Sequence, residues 1–410
     1  MKKISVGFIG MGLRGPGLLK TVVTNFPDVD VVAICDLYPD KVEKGQNIVK
    51  ENRGCTCKGY TDYQELLADK EINTVIISAS WESHVPLAIA TMKSGKITAL
   101  EVGGAYSVDD CWELVKTYEE TKTPFMFLEN CCYGKRELLA CNLVKQGVLG
   151  EVVYCHGAYV HDCRNSIADG VNLRQYRLRN YLARNCDNYP THDLGPIARM
   201  LDINRGNRMV SLVSVASKAR GMAEYIKGKE QFSHLYDKTF RQGDVVQTLI
   251  TCADGAVISL KLDTTLPHYY SRELTVSGTK GIYKEEGDVV FEDNKGLDRE
   301  KEINHYFNTA SQYEEKYLPD CWKTITEEEI QSGHGGMDVL MFKAFFDAVK
   351  ADASMPIDVY DAASWMVITC LSEDSIRNGG HPMEIPDFTR GGWIVKKPED
   401  SLDVMFGKGE

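Results

Sequence analysis

The sequence predicts an α/β protein in two parts. A doubly wound parallel sheet occupies residues 1–130, and an α+β unit with an open, largely antiparallel sheet occupies residues 131–410. Short apolar runs alternate with amphipathic stretches in the first part, which is how a parallel sheet wound by helices reads. From about Gly150 the apolar runs become rich in β-branched residues, which suit pleated, half-buried strands. A length of 410 residues also exceeds what one hydrophobic core usually holds.

In the first part, strands are expected at residues 4–9, 29–35, 74–78, 98–101 and 125–128. Helices are expected between them, at 15–25, 39–51, 63–69, 84–94 and 108–121. Asp62 and Ser107 stand where N-caps belong, and Gly95 stands where a helix should stop. In the second part, strands are expected at 151–160, 209–219, 245–251, 256–264 and 273–277, with little helix between them. Asp254-Gly255 signals a hairpin turn. Helices return at 337–350 and 359–378, the latter stopped by Gly379-Gly380, and are expected to pack back on the first part. Residues 221–242 are polar and charged and read as a loop or insertion.

Hydrophobic residues at 43% and charged residues at 26% are those of an ordinary globular protein. A formal charge of −12 argues against nucleic acid or an anionic membrane as partner, because both repel an acidic surface. No apolar run approaches the roughly 20 residues that span a bilayer. The residues from Met1 lead straight into the first strand, with no signal-peptide core between. Thirteen cysteines, an odd number without the paired spacing of a zinc site, read as reduced thiols in the cytosol, with no metal expected.

Gly10-Met11-Gly12-Leu13-Arg14-Gly15 lies between the first strand and the first helix, in the G-x-G-x-x-G pattern. Such glycines let backbone N–H groups approach a pyrophosphate, which then sits on the positive end of the helix. Asp36 closes the second strand about 20 residues further on, where a ribose-binding acid belongs. Its carboxylate suits a ribose 2′-hydroxyl and repels a 2′-phosphate, so NAD is expected over NADP. Trp81-Glu82-Ser83-His84 and Glu101-Val102-Gly103-Gly104 follow later strands. In open α/β sheets ligands lie outside the carboxyl ends of strands, so Trp81, His84, Glu101 and Val102 are expected at the cofactor. His84 reads equally well as a cap on the following helix.

With these features in place, the chain resembles the glucose–fructose oxidoreductase and inositol dehydrogenase family along nearly its whole length. In that family a lysine follows the fifth strand's glutamate and works with an aspartate and a histidine in an Asp-x-x-x-His arrangement. Here those positions hold Val102, Asn188 and His192, so only the histidine remains. A narrower branch accounts for the loss. Glu129-Asn130-Cys131-Cys132-Tyr133-Gly134, Tyr189-Pro190-Thr191-His192, Ile203-Asn204-Arg205-Gly206 and His334-Gly335-Gly336-Met337-Asp338 look like the NAD-dependent α-N-acetylgalactosaminidases. The glycine usual after Tyr-Pro-Thr-His is Asp193 here, a change expected to lie beside the substrate.

The resemblance implies a glycosidase outside the carboxylate-pair scheme. Sugar C3 is oxidised, the C2 proton becomes acidic and is removed, and the C1 substituent is expelled. Water then adds, C3 is reduced again, and the cycle is redox-neutral. Tyr159, Arg177, Tyr189, His192 and Tyr270 are implied to line the sugar, with Glu129 holding the ring or the nicotinamide ribose and Asn130 at the nicotinamide. His192 titrates near neutral pH and suits proton transfer. Arg177 could lower the pKa of a neighbouring tyrosine or grip hydroxyls. Plainer readings stand beside these. Tyrosines on strands usually pack, Arg177 fits a solvated helix face, and His334 could cap the helix near Asp338. His192 precedes Leu194-Gly195-Pro196 and reads as a loop residue.

Three functions remain open at this stage: a glycosidase using internal redox, a sugar or inositol dehydrogenase releasing NADH, and a catalytically dead sugar sensor. A small carbohydrate is the expected partner. The open sheet's free face commonly becomes a subunit contact in the family, so a homodimer or homotetramer is expected.

Overall fold

A computed structural model describes residues 3–293, 295, 298 and 300–397; Met1, Lys2 and residues 398–410, which the two expected parts include, lie outside the described residues. The first sheet is built from β1 (Ile4–Ile9), β2 (Val29–Cys35), β3 (Lys58–Tyr60), β4 (Thr74–Ile77), β5 (Ile97–Glu101) and β6 (Phe125–Leu128). It is all parallel, in the order β3-β2-β1-β4-β5-β6. The strands are joined through α1 (Arg14–Thr21), α2 (Pro39–Arg53), α3 (Tyr63–Ala68), α4 (Trp81–Lys93) and α5 (Val108–Thr121). Both faces of such a sheet are covered, which is why β1, β4, β5 and β6 are buried at every residue. The Asp62 side chain accepts the Gln64 amide and Ser107 accepts the Asp110 amide, so both caps form as expected. β3 is the strand the sequence hides. Its three residues, Lys58-Gly59-Tyr60, form an edge with no apolar run to announce it.

The second unit carries an eight-stranded sheet in the order β13-β12-β11-β7-β10-β9-β8-β14. Its strands are β7 (Val152–Val160), β8 (Met209–Ala216), β9 (Val245–Cys252), β10 (Val257–Asp263), β11 (Thr275–Gly278), β12 (Gly281–Lys284), β13 (Val289–Glu292) and β14 (Met383–Glu384). All neighbours are antiparallel except β7 and β10. The turn at Asp254-Gly255 joins β9 to β10, with Gly255 at φ +93°.

Helix is more abundant here than the sequence suggests. α6 (Lys135–Lys145), α7 (Arg164–Ala168), α8 (Arg177–Ala183), α9 (Thr191–Met200) and α10 (Gly221–Ile226) interrupt the strands, followed later by α11 (Ser311–Tyr317), α12 (Asp320–Thr324) and α13 (Glu327–Gln331). The stretch 221–242 is therefore not a bare loop. Its α10 and the 3₁₀ turn Glu230–Leu235 bury Met222, Ile226, Phe232 and Leu235 against Ile167, Leu178 and Tyr181, a small core separate from the main one.

α14 (Met337–Ala351) and α15 (Val359–Arg377) close the chain against the first unit. α15 packs on α5 and on β8, and Ala105 donates its amide to Met366 O at 3.0 Å. A helix placed between two sheets must be apolar almost all round, and from Val359 to Cys370 every residue but Tyr360 is buried. Its first turn is pinned by Arg205, whose guanidinium donates to both Asp361 oxygens at 2.7 and 2.6 Å. No helix among the described residues is long and apolar enough to cross a membrane.

Candidate active site

One cavity of about 600 Å³ runs from the glycine loop after β1 to the carboxyl end of β7 and the start of α9. Its walls include Gly10, Gly12, Leu13, Arg14, Asp36, His84, Glu101, Val102 and Asn130 from the first unit and the residues leading out of it. Tyr159, Arg177, Tyr189, His192 and His334 line it from the second. Four sequence candidates stand off the wall: Gly15, Trp81, Glu129 and Tyr270.

The glycines divide the work. Gly10 has φ +99°, a region closed to most side chains, and a Cβ there would lie 2.6 Å from the Ser78–Ala79 backbone. Gly15 touches no ligand wall, because a Cβ on it would sit 2.1 Å from Gly10 O; its bareness lets α1 start directly behind the loop. In front of Gly12 a Cβ would meet nothing within 4 Å, which leaves the loop's amides open to a phosphate. Asp36 accepts the Met11 amide at 2.7 Å and the Tyr38 amide at 3.1 Å, which holds its carboxylate at the cavity edge. Ser78 Oγ and His84 Nδ1 are buried on the same wall without a hydrogen-bond partner. His84 lies inside α4 rather than capping it, with Nε2 3.1 Å from Ala79 O, and burial brings its pKa down to about 4. Bare loop amides, an acid held at the end of β2 and two unpartnered polar atoms fit a dinucleotide.

Arg14 ties this loop to the second unit. It donates to Glu101 at 3.2 Å and to both oxygens of Asp338, at 2.8 and 2.6 Å. Asn130 donates to the same Asp338 at 2.8 Å. Burial alone would raise the Asp338 carboxyl, but hydrogen bonds from His334 and Arg14 hold it well below the usual range. His334 has φ +49° and stands before two further left-handed residues, Gly335 and Gly336. That bend brings its Nδ1 to 2.9 Å from Asp338 and turns the ring over the cavity mouth.

At the far end Tyr159, Tyr189 and His192 form an aromatic triangle, with ring centroids 4.7, 4.7 and 5.5 Å apart. His192 is the second residue of α9, not a loop residue. Pro190 and Gly195-Pro196 look like breakers, yet Gly195 is what brings the helix close. A Cβ on it would lie 2.8 Å from Glu129 Cγ. Glu129 is fully buried behind His192, and its Oε1 accepts from His192 Nδ1 at 2.7 Å. Burial pushes the Glu129 carboxyl up, but the charge and hydrogen bond of His192 hold it below its ordinary value. The carboxylate that the sequence motif would place four residues before His192 thus arrives from β6 instead. Asn188, at the motif position, turns away and donates to Gln242 at 3.0 Å.

Arg177 is not on a solvated helix face. Its guanidinium carbon sits 5.2 Å from the Trp81 ring and 5.3 Å from the Tyr189 ring. Trp81 stands behind Tyr189 as a platform, stacked at 5.4 Å. Arg177 does not bring the tyrosines down as expected. Burial pushes the Tyr159 and Tyr189 hydroxyls up, and the arginine only partly opposes it. Both are therefore neutral phenols. Tyr270 is 47% exposed behind the wall, its ring edge-on to Tyr159 and His161 at 6.3 and 5.2 Å and its hydroxyl accepting from Arg272 at 3.1 Å.

His161 is the residue that sequence reading misses. Its Nδ1 lies 2.9 Å from the Tyr159 hydroxyl, and it lines the cavity. Burial, with the charges of Arg177 and His192, lowers its pKa, which favours the uncharged ring beside the Tyr159 hydroxyl. The available signal was its position two residues past Tyr159, since alternate residues at a strand end share a face.

Glu129, Cys131 and His192 offer ligand atoms within 4.8 Å of one another. Burial pushes the Cys131 thiol far up and so keeps it protonated, while the Glu129–His192 contact is already a hydrogen bond, which makes the trio a poor metal donor set. Asp193 does not face the cavity. It is buried on the far side of α9, its Cβ 2.8 Å from where a Gly157 Cβ would stand. There it meets a second buried carboxyl, Asp187, which burial raises to about 7. A raised carboxyl contributes stability that is present below its unfolded pKa and is lost as pH rises through the folded value. Asp187→Asn is therefore expected to melt increasingly above wild type as pH is raised from 5 to 8. Parallel melting curves across that range would remove the buried proton from Asp187.

Residues 133–395 match the sequence model of the glycosyl hydrolase 109 C-terminal domain, which covers more than half of the chain. The chain belongs to glycosyl hydrolase family 109. Residues 4–128 of this family 109 protein match the oxidoreductase family, NAD-binding Rossmann fold, so the first unit is an NAD-binding domain. A family 109 protein of Stenotrophomonas maltophilia is 36% identical over 99% of this chain and 93% of its own length. The alpha-N-acetylgalactosaminidases of Tannerella forsythia and Shewanella oneidensis are 35% and 37% identical, each over 97% of this chain and 88% of theirs. Among solved structures, levoglucosan dehydrogenase with NADH and levoglucosan aligns at TM-score 0.68 and 20% identity, covering 94% of this chain and all of the other. An Agrobacterium radiobacter oxidoreductase with NAD⁺ and L-tartaric acid aligns at 0.65 and 16%, over 94% and 99%. At such identities these two show the fold of the family 109 chain and nothing finer.

Proposed function

We propose that this protein is a glycosidase that cleaves α-N-acetylgalactosaminides or close relatives by transient oxidation at sugar C3. The observation that carries this is the pairing at the sugar end of the cavity. His192, backed by buried Glu129, and the Tyr159–His161 pair line the same cavity as the glycine loop, and buried Val102 on that wall stands where a family dehydrogenase has its lysine. NAD⁺, when bound by the glycine loop and Asp36, supplies the hydride acceptor and later the donor.

The chain itself must move two protons, one from the C3 hydroxyl and one from C2. With Nδ1 bonded to Glu129, His192 has Nε2 left to take up and return a proton. Tyr159 can pass its hydroxyl proton to neutral His161 and so accept another. Tyr189 stays a hydrogen-bond donor to the ring, and Arg177, held over Trp81 and Tyr189, grips hydroxyls. His334, half exposed on the cavity wall, stands where the leaving group would lie, and Tyr270 backs His161 beside it. In this reading residues 1–130 hold the dinucleotide and 131–410 the sugar.

Thirteen free thiols suit a reducing compartment, and we place the protein in the cytosol. Val215 and Leu249 stand exposed on the open face of the second sheet, which supports a homodimer or homotetramer through that face.

Incubation with p-nitrophenyl α-N-acetylgalactosaminide in D₂O, without added reductant, is expected to release nitrophenol and leave deuterium at C2 of the freed sugar. Release without C2 exchange would reject the elimination route. Net accumulation of NADH during turnover would mark a dehydrogenase instead.

A further inference from the structure

The stretch from the end of α7 into the first turn of α8, residues 169–180, belongs to the second unit, yet it runs across the cofactor groove of the first. In sheet order β2 and β4 flank β1, so the residues after those two strands stand on either side of the glycine loop. The segment is tied to both. On the β2 side Arg174 donates to the two Asp40 oxygens at 3.0 and 2.5 Å and lies 4.3 Å over the Tyr38 ring. On the β4 side Arg179 donates to the two Glu82 oxygens at 2.5 and 2.9 Å, and Asn180 adds a bond to Glu82 at 3.2 Å. Leu173, Arg174 and Gln175 line the same cavity as Gly12 and Asp36.

The strap is stiff. Leu173, Arg174 and Gln175 donate their amides back to Asp169, Val171 and Gly170 at 3.0, 3.1 and 2.8 Å, a tight turn that forces Arg174 to φ +49°. It is also rooted independently, in the small apolar core that α7 and α8 share with residues 222–240. Its ties to the first unit's groove are ionic, cation–π and aromatic: the two ion pairs are partly exposed, and Tyr176 packs on Trp81 with ring centroids 4.5 Å apart. Exposed ion pairs are individually weak and are screened by salt, so salt loosens the two outer ties of such a strap while the Tyr176–Trp81 contact stays.

We propose that this strap retains the dinucleotide through the catalytic cycle, with Arg174, Asp40 and Tyr38 as the clasp at the adenosine end and Arg179 with Glu82 at the other. The proposal rests on the redox-neutral reading, in which a cofactor that left in reduced form would strand an oxidised sugar.

The test is release of bound NAD from the purified holoenzyme into excess competing unlabelled NAD⁺, followed by separation and counting of label still bound. Arg174→Ala and Arg179→Ala are each expected to speed release about two- to fivefold, with Asp40→Asn adding little to Arg174→Ala because both break one contact. Raising salt from about 50 to about 500 mM, the range over which surface pairs become screened, should speed wild-type release and leave the Arg174→Ala/Arg179→Ala variant unmoved. Release within about twofold of wild type in that double variant would overturn the strap. So would salt acceleration that persists in it. If wild type hydrolyses without net NADH while the variants release normally, the strap fails and the glycosidase reading stands. If wild type accumulates NADH, that reading fails whatever the release rates.

Discussion

His192→Ala is expected to lower turnover about a thousandfold while the purified protein keeps its full complement of NAD. The two effects separate because His192 is on α9 of the second unit, whereas the glycine loop and Asp36 are built entirely from the first. Loss of the imidazole removes the ring that the Glu129 carboxylate orients, and leaves that buried carboxylate with one donor fewer beside the Cys131 amide. Some loss of stability is therefore expected too, which is why Glu129→Gln is the informative companion. An amide is close to isosteric and keeps the packing, but it no longer favours the tautomer with Nε2 bare. A loss of about a hundredfold in kcat, with KM little changed and the acid limb of the pH profile shifted, is expected. Rates near wild type in both variants would take His192 out of the mechanism. The measurement is steady-state hydrolysis of the nitrophenyl glycoside, with NAD content determined after acid release.

Gly15→Ala is expected to abolish NAD binding although Gly15 itself faces no ligand. A Cβ at this position would lie 2.1 Å from Gly10 O, a backbone atom that cannot swing aside as a side chain can. The first turn of α1 must then lift away from β1, and the loop amides lose their aim at the pyrophosphate. A destabilisation of about 1–3 kcal/mol is expected from the overpacking. Gly17→Ala is the control in the same helix. A Cβ there meets nothing within 4 Å, and alanine is the better helix former, so stability should rise by about 0.5–1 kcal/mol with NAD content unchanged. Wild-type NAD content in Gly15→Ala would show that α1 can shift without disturbing the loop.

Much of the first unit is legible in the sequence because parallel strands are continuous apolar runs and their helices carry local caps. β1, β2, β6 and α5 fall on the residues expected, since each is bounded by a turn or a cap that acts within four residues. The second unit is less legible. α9 hides behind two prolines and a glycine, and it is a helix because packing on β7 and Glu129 outweighs the local penalty. Residues 221–242 look like a polar loop because their apolar residues are sparse. They are enough only because Leu178 and Tyr181 arrive from elsewhere to complete the small core.

The site divides along the same line. The glycine spacing, Asp36, and the pairing of Tyr189 with His192 three residues apart are set by local geometry, so they can be read from the chain alone. What stands behind each group is not. Glu129 lies 63 residues from His192, Asp40 lies 134 from Arg174, and Asp338 lies 324 from Arg14. Side chains so far apart in sequence acquire their charge states and orientations only when folding removes water between them. Burial then decides the outcome: it keeps Tyr159 and Tyr189 neutral beside an arginine, and it turns Asp193 from an expected substrate neighbour into a buried acid under the helix.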